Sequence, residues 1–388
     1  MFKIQTLNNI ASKGLERLPG ERYAVAADLA QPDAILVRSA DMHALALPDT
    51  LKAVGRAGAG VNNIPVAELT RRGVPVFNAP GANANAVKEL VLAGLLLAYR
   101  NICQAWDYTR RLPEEGAALH KAVEQGKKQF SGFELPGRTL GVVGLGAIGV
   151  QVANAAQALG MRVIGFDPGI TVKSAWQLSA NVEQAQSLDD LFGRADAISL
   201  HVPLVDATRH LVNGARLKLL RRGGVLLNFS RDGIVDEAAV LAALNDGYLH
   251  AHVTDFPSRE LLQHPKVIAL PHLGASTLEA EENCAVMVAD TLRDYLELGN
   301  IRNAVNFPEA QLARSEGIRL CIANANVPNM VGQITTHLAQ AGLNILDMLN
   351  KSRFEVAYTM VDVDRAVPVE TMQAIGAIEG VLKLRVLD

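Results

Sequence analysis

Short apolar runs alternate with longer amphipathic stretches along most of the chain, as strands alternate with helices. Strand-like runs begin at Ala34 and recur around Val54 and Val76, before an apolar helix predicted from about Asn85 to Arg100. A clearer series starts at Arg138 and contains the strand-like runs TLGVV, MRVIGF, AISLHVP, GGVLLNF, HAHVTDF and KVIALPH. This alternation predicts parallel, doubly wound sheets, so the expected fold class is α/β.

The pattern changes after the last of these runs. Residues 279–298 predict a helix that returns to pack on the N-terminal region, and residues 301–317 predict a connector. From Ile318 onward the apolar runs predict the order βαββαβ, which is ferredoxin-like. We therefore expect three domains: a discontinuous flavodoxin-like domain of residues 1–98 and 276–312, a Rossmann-type domain of residues 99–275, and a C-terminal domain of residues 313–388.

Composition excludes several classes of function. The formal net charge of −3 gives no basic field for nucleic-acid binding. The longest apolar stretch, Leu90 to Tyr99, is about half of the roughly 20 residues that span a bilayer, and no signal-peptide pattern follows Met1, so we expect a cytoplasmic protein with no membrane partner. Cys103, Cys284 and Cys321 form no CxxC pair, so no metal site is predicted.

A glycine motif points to a nucleotide. The pattern GxGxxG follows a strand and opens a helix, where Gly144 permits a tight turn, Gly146 admits a pyrophosphate and Gly149 lets the helix pack closely. Asp167 ends the next strand, where a carboxylate binds ribose hydroxyls and repels a 2′-phosphate, which favours NAD over NADP. The alternative is a glycine-rich turn with no ligand. The predicted contacts are Gly144, Gly146, Ala147, Ile148, Gly149 and Asp167.

Several motifs occur in a fixed order. VVGLGAIG, HVPL followed by Thr208, NFSRDGIVDE and PHLGAST together resemble the D-isomer-specific 2-hydroxyacid dehydrogenase family from about Ile35 to Pro308. The resemblance implies that Arg231 binds the carboxylate and carbonyl of a 2-oxo acid. It implies that His272 is the general acid and base, and that Glu260 pairs with this histidine and favours its protonated form.

The resemblance also assigns cofactor contacts. Asp255 matches an acidic residue near the nicotinamide end of NAD, and the further expected contacts are His201, Pro203 and Thr208. Two positions depart from the family pattern. Asp232 follows the arginine where a small residue is common, and Leu261 follows Glu260 where proline is common.

The first domain resembles the substrate loops of the family. Its predicted substrate contacts are Arg38, Ser39, Arg56, Gly58, Gly60 and Asn83. Arg38 matches a substrate-contacting arginine of the members that oxidise 3-phosphoglycerate, and a second cation suits a phosphorylated hydroxy acid. The alternative is that Arg38 and Arg56 are solvated loop residues.

The C-terminal domain resembles the ACT regulatory domain. Asn326 and Asn344 match two asparagines of the effector site in serine-sensitive members, while Asn324 replaces a histidine and Asn329 a loop glycine. Asparagine tolerates the left-handed backbone that such a loop requires. The predicted effector contacts are therefore Asn324, Asn326 and Asn344, with an amino acid such as L-serine as the ligand. A purely oligomerising domain is the alternative.

Taken together, the resemblance implies NAD-linked oxidation of D-3-phosphoglycerate to 3-phosphohydroxypyruvate, the first step of L-serine biosynthesis, by a homodimer or homotetramer. In this interpretation residues 1–98 and 276–312 bind substrate, residues 99–275 bind NAD and residues 313–388 regulate. Two alternatives stay open: a related dehydrogenase for a non-phosphorylated 2-oxo acid, and a non-enzymatic NAD-sensing regulator.

Overall fold

The computed structural model describes residues 1–388. It divides into two compact units, the first made of Met1–Asn83 with Leu278–Asp388 and the second of Ala84–Thr277. The helix predicted near residues 85–100 therefore belongs to the second unit, whereas the division into three functional domains remains a prediction. None of the helices combines the length and the apolar character needed to cross a membrane.

The first unit opens with a sheet of five parallel strands in the order β2-β1-β3-β4-β5. This order is flavodoxin-like. Every residue of β3 is buried, as expected for a parallel strand covered on both faces. The elements are β1 (Phe2–Leu7), α1 (Ser12–Leu15), β2 (Tyr23–Ala26), β3 (Ala34–Val37), β4 (Ala53–Arg56), α2 (Val66–Arg71) and β5 (Val76–Phe77).

The second unit contains a parallel sheet of seven strands in the order β12-β11-β10-β9-β6-β7-β8, which confirms the Rossmann-type arrangement. Its elements are α3 (Ala84–Tyr99), α4 (Ile102–Arg110), α5 (Gly116–Gly126), β6 (Thr139–Val143), α6 (Ala147–Ala158), β7 (Arg162–Phe166), α7 (Val172–Gln177), β8 (Glu183–Gln184), α8 (Leu188–Arg194), β9 (Ala197–Leu200), α9 (Gly214–Leu217), β10 (Gly224–Asn228), α10 (Glu237–Asn245), β11 (Leu249–Thr254), α11 (Arg259–Leu262) and β12 (Val267–Ala269).

The chain then returns to the first unit. The long helix α12 (Leu278–Leu298) packs against α1 and β4, which confirms the expected return to the N-terminal region. The remaining elements are β13 (Ile318–Ala325), α13 (Met330–Gln340), β14 (Ile345–Arg353), β15 (Val356–Val363), α14 (Val369–Gly376) and β16 (Val381–Leu387).

These last strands form an antiparallel sheet in the order β14-β15-β13-β16, which confirms the ferredoxin-like βαββαβ arrangement and is compatible with an ACT domain. Alternate residues of β13 point to opposite faces. Ile322 packs in one core with Ile334 of α13, and Cys321 lies in another with Leu292 of α12. Strand β13 is therefore buried on both faces within the first unit.

Candidate active site

The glycine turn after β6 is shaped by two close approaches and one open position. Gly144 has φ +90°, and a Cβ there would lie 2.4 Å from the carbonyl oxygen of His201. A Cβ on Gly149 would lie 1.9 Å from the oxygen of Gly144, so α6 could not pack so closely with any other residue. A Cβ on Gly146 would meet nothing within 4 Å. Open space at this helix N-terminus fits the pyrophosphate of a dinucleotide.

Asp167 follows β7 and faces the glycine turn. Its Oδ2 accepts a hydrogen bond from the backbone N–H of Leu145 at 2.8 Å, and its Oδ1 accepts one from Gly169 at 2.8 Å. The carboxylate is partly exposed, and each oxygen has a further lone pair. These lone pairs suit the two ribose hydroxyls of NAD.

The loop after β9 is held by its own side chains. The hydroxyl of Thr208 donates to the carbonyl of Pro203 at 2.6 Å and accepts from the N–H of Val205 at 2.9 Å. The ring of His201 hydrogen-bonds Ser199 at 2.8 Å, and burial lowers the pKa of His201 to about 4. His201 is therefore neutral near pH 7, and its carbonyl oxygen lies against the glycine turn at Gly144.

Arg231 lies in the loop after β10. The side chain of Asn228 donates to the carbonyl of Arg231 at 2.8 Å, and Arg231 Nη1 donates to the carbonyl of Ser230 at 2.6 Å. The guanidinium forms no ion pair, so donors remain for an acidic ligand. Asp232, the departure from the family pattern, is exposed and accepts from the N–H of Gly233.

The structure gathers three charged groups at the carboxyl edge of this sheet. Asp255 directly follows β11 and is only 3% exposed, yet neither carboxylate oxygen has a hydrogen-bond partner. Burial raises the pKa of Asp255, while the charges of His272 and Arg231 lower it. The exposed ring of His272 contacts Phe256 edge-on, with 4.9 Å between ring centroids. Two of the three predicted catalytic residues, Arg231 and His272, therefore lie at this edge of the sheet.

Glu260 does not contact His272 in this structure, and the expected pairing stays a prediction. Its carboxylate is exposed, and no hydrogen bond or ion pair links it to His272. Ser258 caps the short helix α11, and Leu261, at 4% exposure, fills the core. Because consecutive helical residues point in different directions, burying Leu261 turns Glu260 outward.

The first unit carries the predicted substrate residues. Arg38 Nη2 donates to Glu281 Oε1 at 2.5 Å, and each side chain is about one-third exposed. The guanidinium of Arg56 lies over Gly58, where a Cβ would be 1.8 Å from its Nη1. The charges of both arginines also act on the buried thiol of Cys284, whose pKa burial raises. Ser39 is exposed, and Gly60 and Asn83 are partly exposed.

The predicted effector residues separate into two groups. Asn324 is 1% exposed; its amide donates to the carbonyl of Ala325, and its oxygen accepts from Thr359. Its side chain is therefore held in the sheet interior, and its role as an effector contact stays a prediction. Asn326 and Asn344 are exposed. Asn329 adopts φ +64° before α13, as expected for an asparagine that replaces glycine.

Known proteins match both the sequence and the fold. Residues 93–274 match the family described as D-isomer specific 2-hydroxyacid dehydrogenase, NAD binding domain. The chain is 34% identical over 349 residues to D-3-phosphoglycerate dehydrogenase of Haemophilus influenzae, covering 87% of this chain and 81% of that protein. The chain belongs to the D-isomer specific 2-hydroxyacid dehydrogenase family. Its cofactor is NAD.

Two further relatives are also D-3-phosphoglycerate dehydrogenases. The Escherichia coli K12 D-3-phosphoglycerate dehydrogenase is 33% identical over 352 residues, covering 87% of this chain and 82% of that protein. The Methanocaldococcus jannaschii protein is 37% identical over 310 residues, covering 78% of this chain but only 56% of that longer protein.

Solved structures of the dehydrogenase family share the fold. NAD⁺-bound 3-phosphoglycerate dehydrogenase of Entamoeba histolytica superposes with a TM-score of 0.62 at 25% identity, covering 78% of this chain and 98% of that one. D-mandelate dehydrogenase of Rhodotorula graminis superposes with a TM-score of 0.67 at 22% identity, covering 81% of this chain and 99% of that one. The second likeness concerns the fold alone.

Proposed function

We propose that this chain catalyses NAD-linked oxidation of D-3-phosphoglycerate to 3-phosphohydroxypyruvate, the first step of L-serine biosynthesis. The observation that carries the proposal is the placement of Arg231, Asp255 and His272 after the neighbouring strands β10, β11 and β12, at the carboxyl edge of the second sheet. The glycine turn, with its fit to a dinucleotide, lies at the end of β6 in the same sheet. The names of the relatives support the choice of substrate.

In this proposal each residue has a distinct chemical task. Held by the glycine turn and Asp167, NAD would supply the acceptor for a hydride from C2 of the substrate. Arg231 holds the substrate carboxylate and the C2 oxygen with its planar fork of donors. His272 takes the proton of the C2 hydroxyl as the hydride departs, and later releases it to water. The hydroxyl carbon thus loses a hydride and a proton, which leaves the ketone, the reduced cofactor and one free proton.

The first unit supplies the candidate phosphate contacts. Arg38 and Arg56 bring two guanidinium groups close enough that both charges act on Cys284. Two cations suit a doubly charged phosphate better than the single charge of a simple hydroxy acid. The accompanying substrate contacts in this proposal are Ser39, Gly58, Gly60 and Asn83.

One observation favours a second candidate. The ion pair with Glu281 offsets the charge of Arg38. An arginine that is already paired attracts a phosphate less strongly, because the anion must displace or share its carboxylate partner. A related dehydrogenase for a non-phosphorylated 2-hydroxy acid is therefore the second candidate function.

The deciding experiment measures NADH formation with D-3-phosphoglycerate while a trapping reagent removes the product. We expect turnover with this substrate and a large loss of kcat/KM in Arg38→Ala, because the phosphate loses a charged partner. The matched measurement uses D-lactate, which has no phosphate. Turnover of D-lactate but not of D-3-phosphoglycerate would establish the second candidate instead, and an Arg38→Ala variant as active as the wild type on D-3-phosphoglycerate would remove Arg38 from phosphate binding.

We propose further that the C-terminal domain binds an amino-acid effector such as L-serine and that the protein is a homodimer or homotetramer. Exposed Asn326 and Asn344 support the effector assignment. Adding L-serine to the same assay tests it: suppressed turnover is expected, and turnover indifferent to L-serine would limit the domain to assembly or to another ligand.

A further inference from the structure

Arg385 is a buried positive charge without an acidic partner. It lies in β16 of the C-terminal sheet and is 8% exposed. The ionisable groups whose charges act on it are Tyr295, Tyr358 and Cys321, and none of them is a carboxyl group. Taking a guanidinium out of water is costly unless negative charge compensates for the lost hydration. The compensation must therefore come from other groups in the first unit.

The carboxyl end of α12 provides this compensation. Arg385 Nη2 donates to the carbonyl of Leu296 at 2.9 Å, and Arg385 Nη1 donates to the carbonyl of Tyr295 at 3.3 Å. The guanidinium also lies over the ring of Tyr295, 4.4 Å from its centroid. The last carbonyls of a helix carry partial negative charge, so a cation at this end stabilises the helix. Arg385 of the C-terminal sheet is therefore a cap for α12.

Two neighbouring strands hold the same end of the helix. Tyr358 of β15 donates its hydroxyl to the carbonyl of Gly299 at 2.8 Å. Gly299 follows α12 with φ +75°, and a Cβ there would lie 2.3 Å from the Sγ of Cys321 in β13. A helix end packed this closely cannot shift unless the strands that face it also move. The C-terminal sheet therefore fixes the position of the carboxyl end of α12.

The amino-terminal part of α12 reaches both arginines proposed to bind the phosphate. Glu281, in the first turn of the helix, pairs with Arg38. The helix also packs closely on β4, where a Cβ on Gly55 would lie 2.7 Å from the side chain of Leu292, and Arg56 is the next residue. Packed helices move as units, typically by about 1–2 Å in conformational transitions. A displacement of the carboxyl end of α12 would therefore reach both arginines.

We propose that Arg385 is a positioning residue for the phosphate end of the substrate, and that it acts through α12 on Arg38 and Arg56. This role rests on the proposed function, because it concerns the substrate contacts assigned there. It gives the C-terminal sheet a task in substrate affinity that requires no effector. The competing role for Arg385 is purely local, namely stabilisation of the helix end that it contacts.

Steady-state kinetics of the full chain distinguish the two roles. Arg385→Met removes the buried donors, and we expect the KM for D-3-phosphoglycerate to rise roughly two- to ten-fold. The kcat and the KM for NAD should stay near wild type, because the glycine turn lies in the second unit. Arg385→Lys keeps the charge and should restore part of the substrate affinity.

Another arginine of the same sheet provides the matched control. Arg353 donates to the carbonyl of Ala304 in the connector at 3.0 Å instead of to α12. Arg353→Met therefore removes a comparable contact between the C-terminal sheet and the rest of the first unit. We expect it to leave the KM for D-3-phosphoglycerate unchanged.

Hydrogen–deuterium exchange without substrate gives a readout that does not depend on which substrate the enzyme uses. In Arg385→Met we expect faster exchange of the backbone amides in the first half of α12, residues 278–288, as well as in its last turn. Tyr358→Phe removes only one hydrogen bond from the same helix end. It should produce a smaller change with the same distribution, and it provides the test if Arg385→Met does not fold.

The outcomes separate the positioning role from the proposed substrate. A wild-type KM for D-3-phosphoglycerate in folded Arg385→Met, or faster exchange confined to the last turn of α12, would limit Arg385 to a local role and overturn the proposal. An equal rise in KM in Arg353→Met would also overturn it, because any loosening of the sheet would then suffice. If the wild type did not turn over D-3-phosphoglycerate while Arg385→Met still changed exchange at residues 278–288, only the proposed substrate would be contradicted.

Discussion

The ion pair between Arg38 and Glu281 sets the charge that the first unit offers to an acidic substrate. An ion pair at this level of exposure contributes little to stability, in the range of about 0.2–1 kcal/mol. If phosphate competes for the same guanidinium, Glu281→Gln should raise kcat/KM for D-3-phosphoglycerate roughly two- to five-fold. Initial-rate kinetics at fixed ionic strength measure the effect.

A neighbouring glutamate provides the control for that experiment. Glu282 pairs with Lys13 at 2.5 Å instead of with Arg38. Glu282→Gln removes the same charge from the same helix and should leave kcat/KM unchanged. Equal effects of the two variants would mean that overall charge, rather than the Arg38 partner, controls substrate affinity.

At single positions, the residue type could be understood from the sequence where the backbone leaves no room for a side chain. Gly144 and Gly149 were predictable because a Cβ would collide with backbone oxygens. The side-chain directions of Glu260 and Asn324 could not be predicted in this way, because they depend on neighbouring residues. The burial of Leu261 turns Glu260 outward, and pairing between distant strands places Asn324 beside Thr359.

At the scale of one element, two glycines at the start of α6 are expected to have different roles: Gly149 in packing and Gly146 in binding the cofactor. Gly149→Ala would place a Cβ 1.9 Å from the oxygen of Gly144, so we expect a destabilised protein with weak NAD binding. Gly146→Ala meets nothing within 4 Å, so stability should stay near wild type while NADH affinity falls, because the new methyl group occupies the phosphate approach. Thermal unfolding and fluorescence titration with NADH measure the two properties.

The contrast between the two alanine variants is the control. If Gly146→Ala bound NADH as tightly as the wild type, the open space beside it would not be the pyrophosphate position. If both variants lost stability equally, the glycine turn would be a packing feature throughout.

The helices and strands that could be predicted from the sequence are mainly those that bury many apolar residues. Strands β6 and β10 of the second sheet and helix α12 bury continuous or periodic apolar residues, and their positions agree with the predicted ones. Strand β1 was missed because Ile4 is its only buried residue, and strand β8 because both of its residues are exposed. Helices α4 and α5 were missed although each is amphipathic; α4 buries no residue and α5 only Gly126.

At the scale of the whole molecule, the C-terminal sheet is fastened to the rest of the first unit by a buried arginine. Arg319 is fully buried and makes a bidentate ion pair with Asp362 at 2.6 and 2.8 Å. Its remaining donors bind the carbonyls of Leu298, Leu312 and Ala313, at the end of α12 and in the connector. The ion pair of Arg319 and Asp362 is therefore a charged centre that the C-terminal sheet, the connector and α12 share. A ligand that shifts β13 or β15 would act directly on α12 through this centre.

This centre makes stability depend on pH in a defined direction. Burial raises the pKa of Asp362, but hydrogen bonds from Arg319 and Ser315 outweigh it and hold that pKa below its usual value. A carboxyl group with a lowered folded-state pKa stabilises the protein above its unfolded pKa, near 3.9, and loses that contribution as the pH falls through the folded value. Asp362→Asn leaves the Arg319 charge buried and unpaired, which should cost about 3–5 kcal/mol of unfolding free energy at pH 7. Urea denaturation of both proteins across the acidic range should show that the difference in unfolding free energy between the wild type and Asp362→Asn shrinks as the pH falls. Equal unfolding free energies of the two proteins at pH 7 would contradict the role of the ion pair.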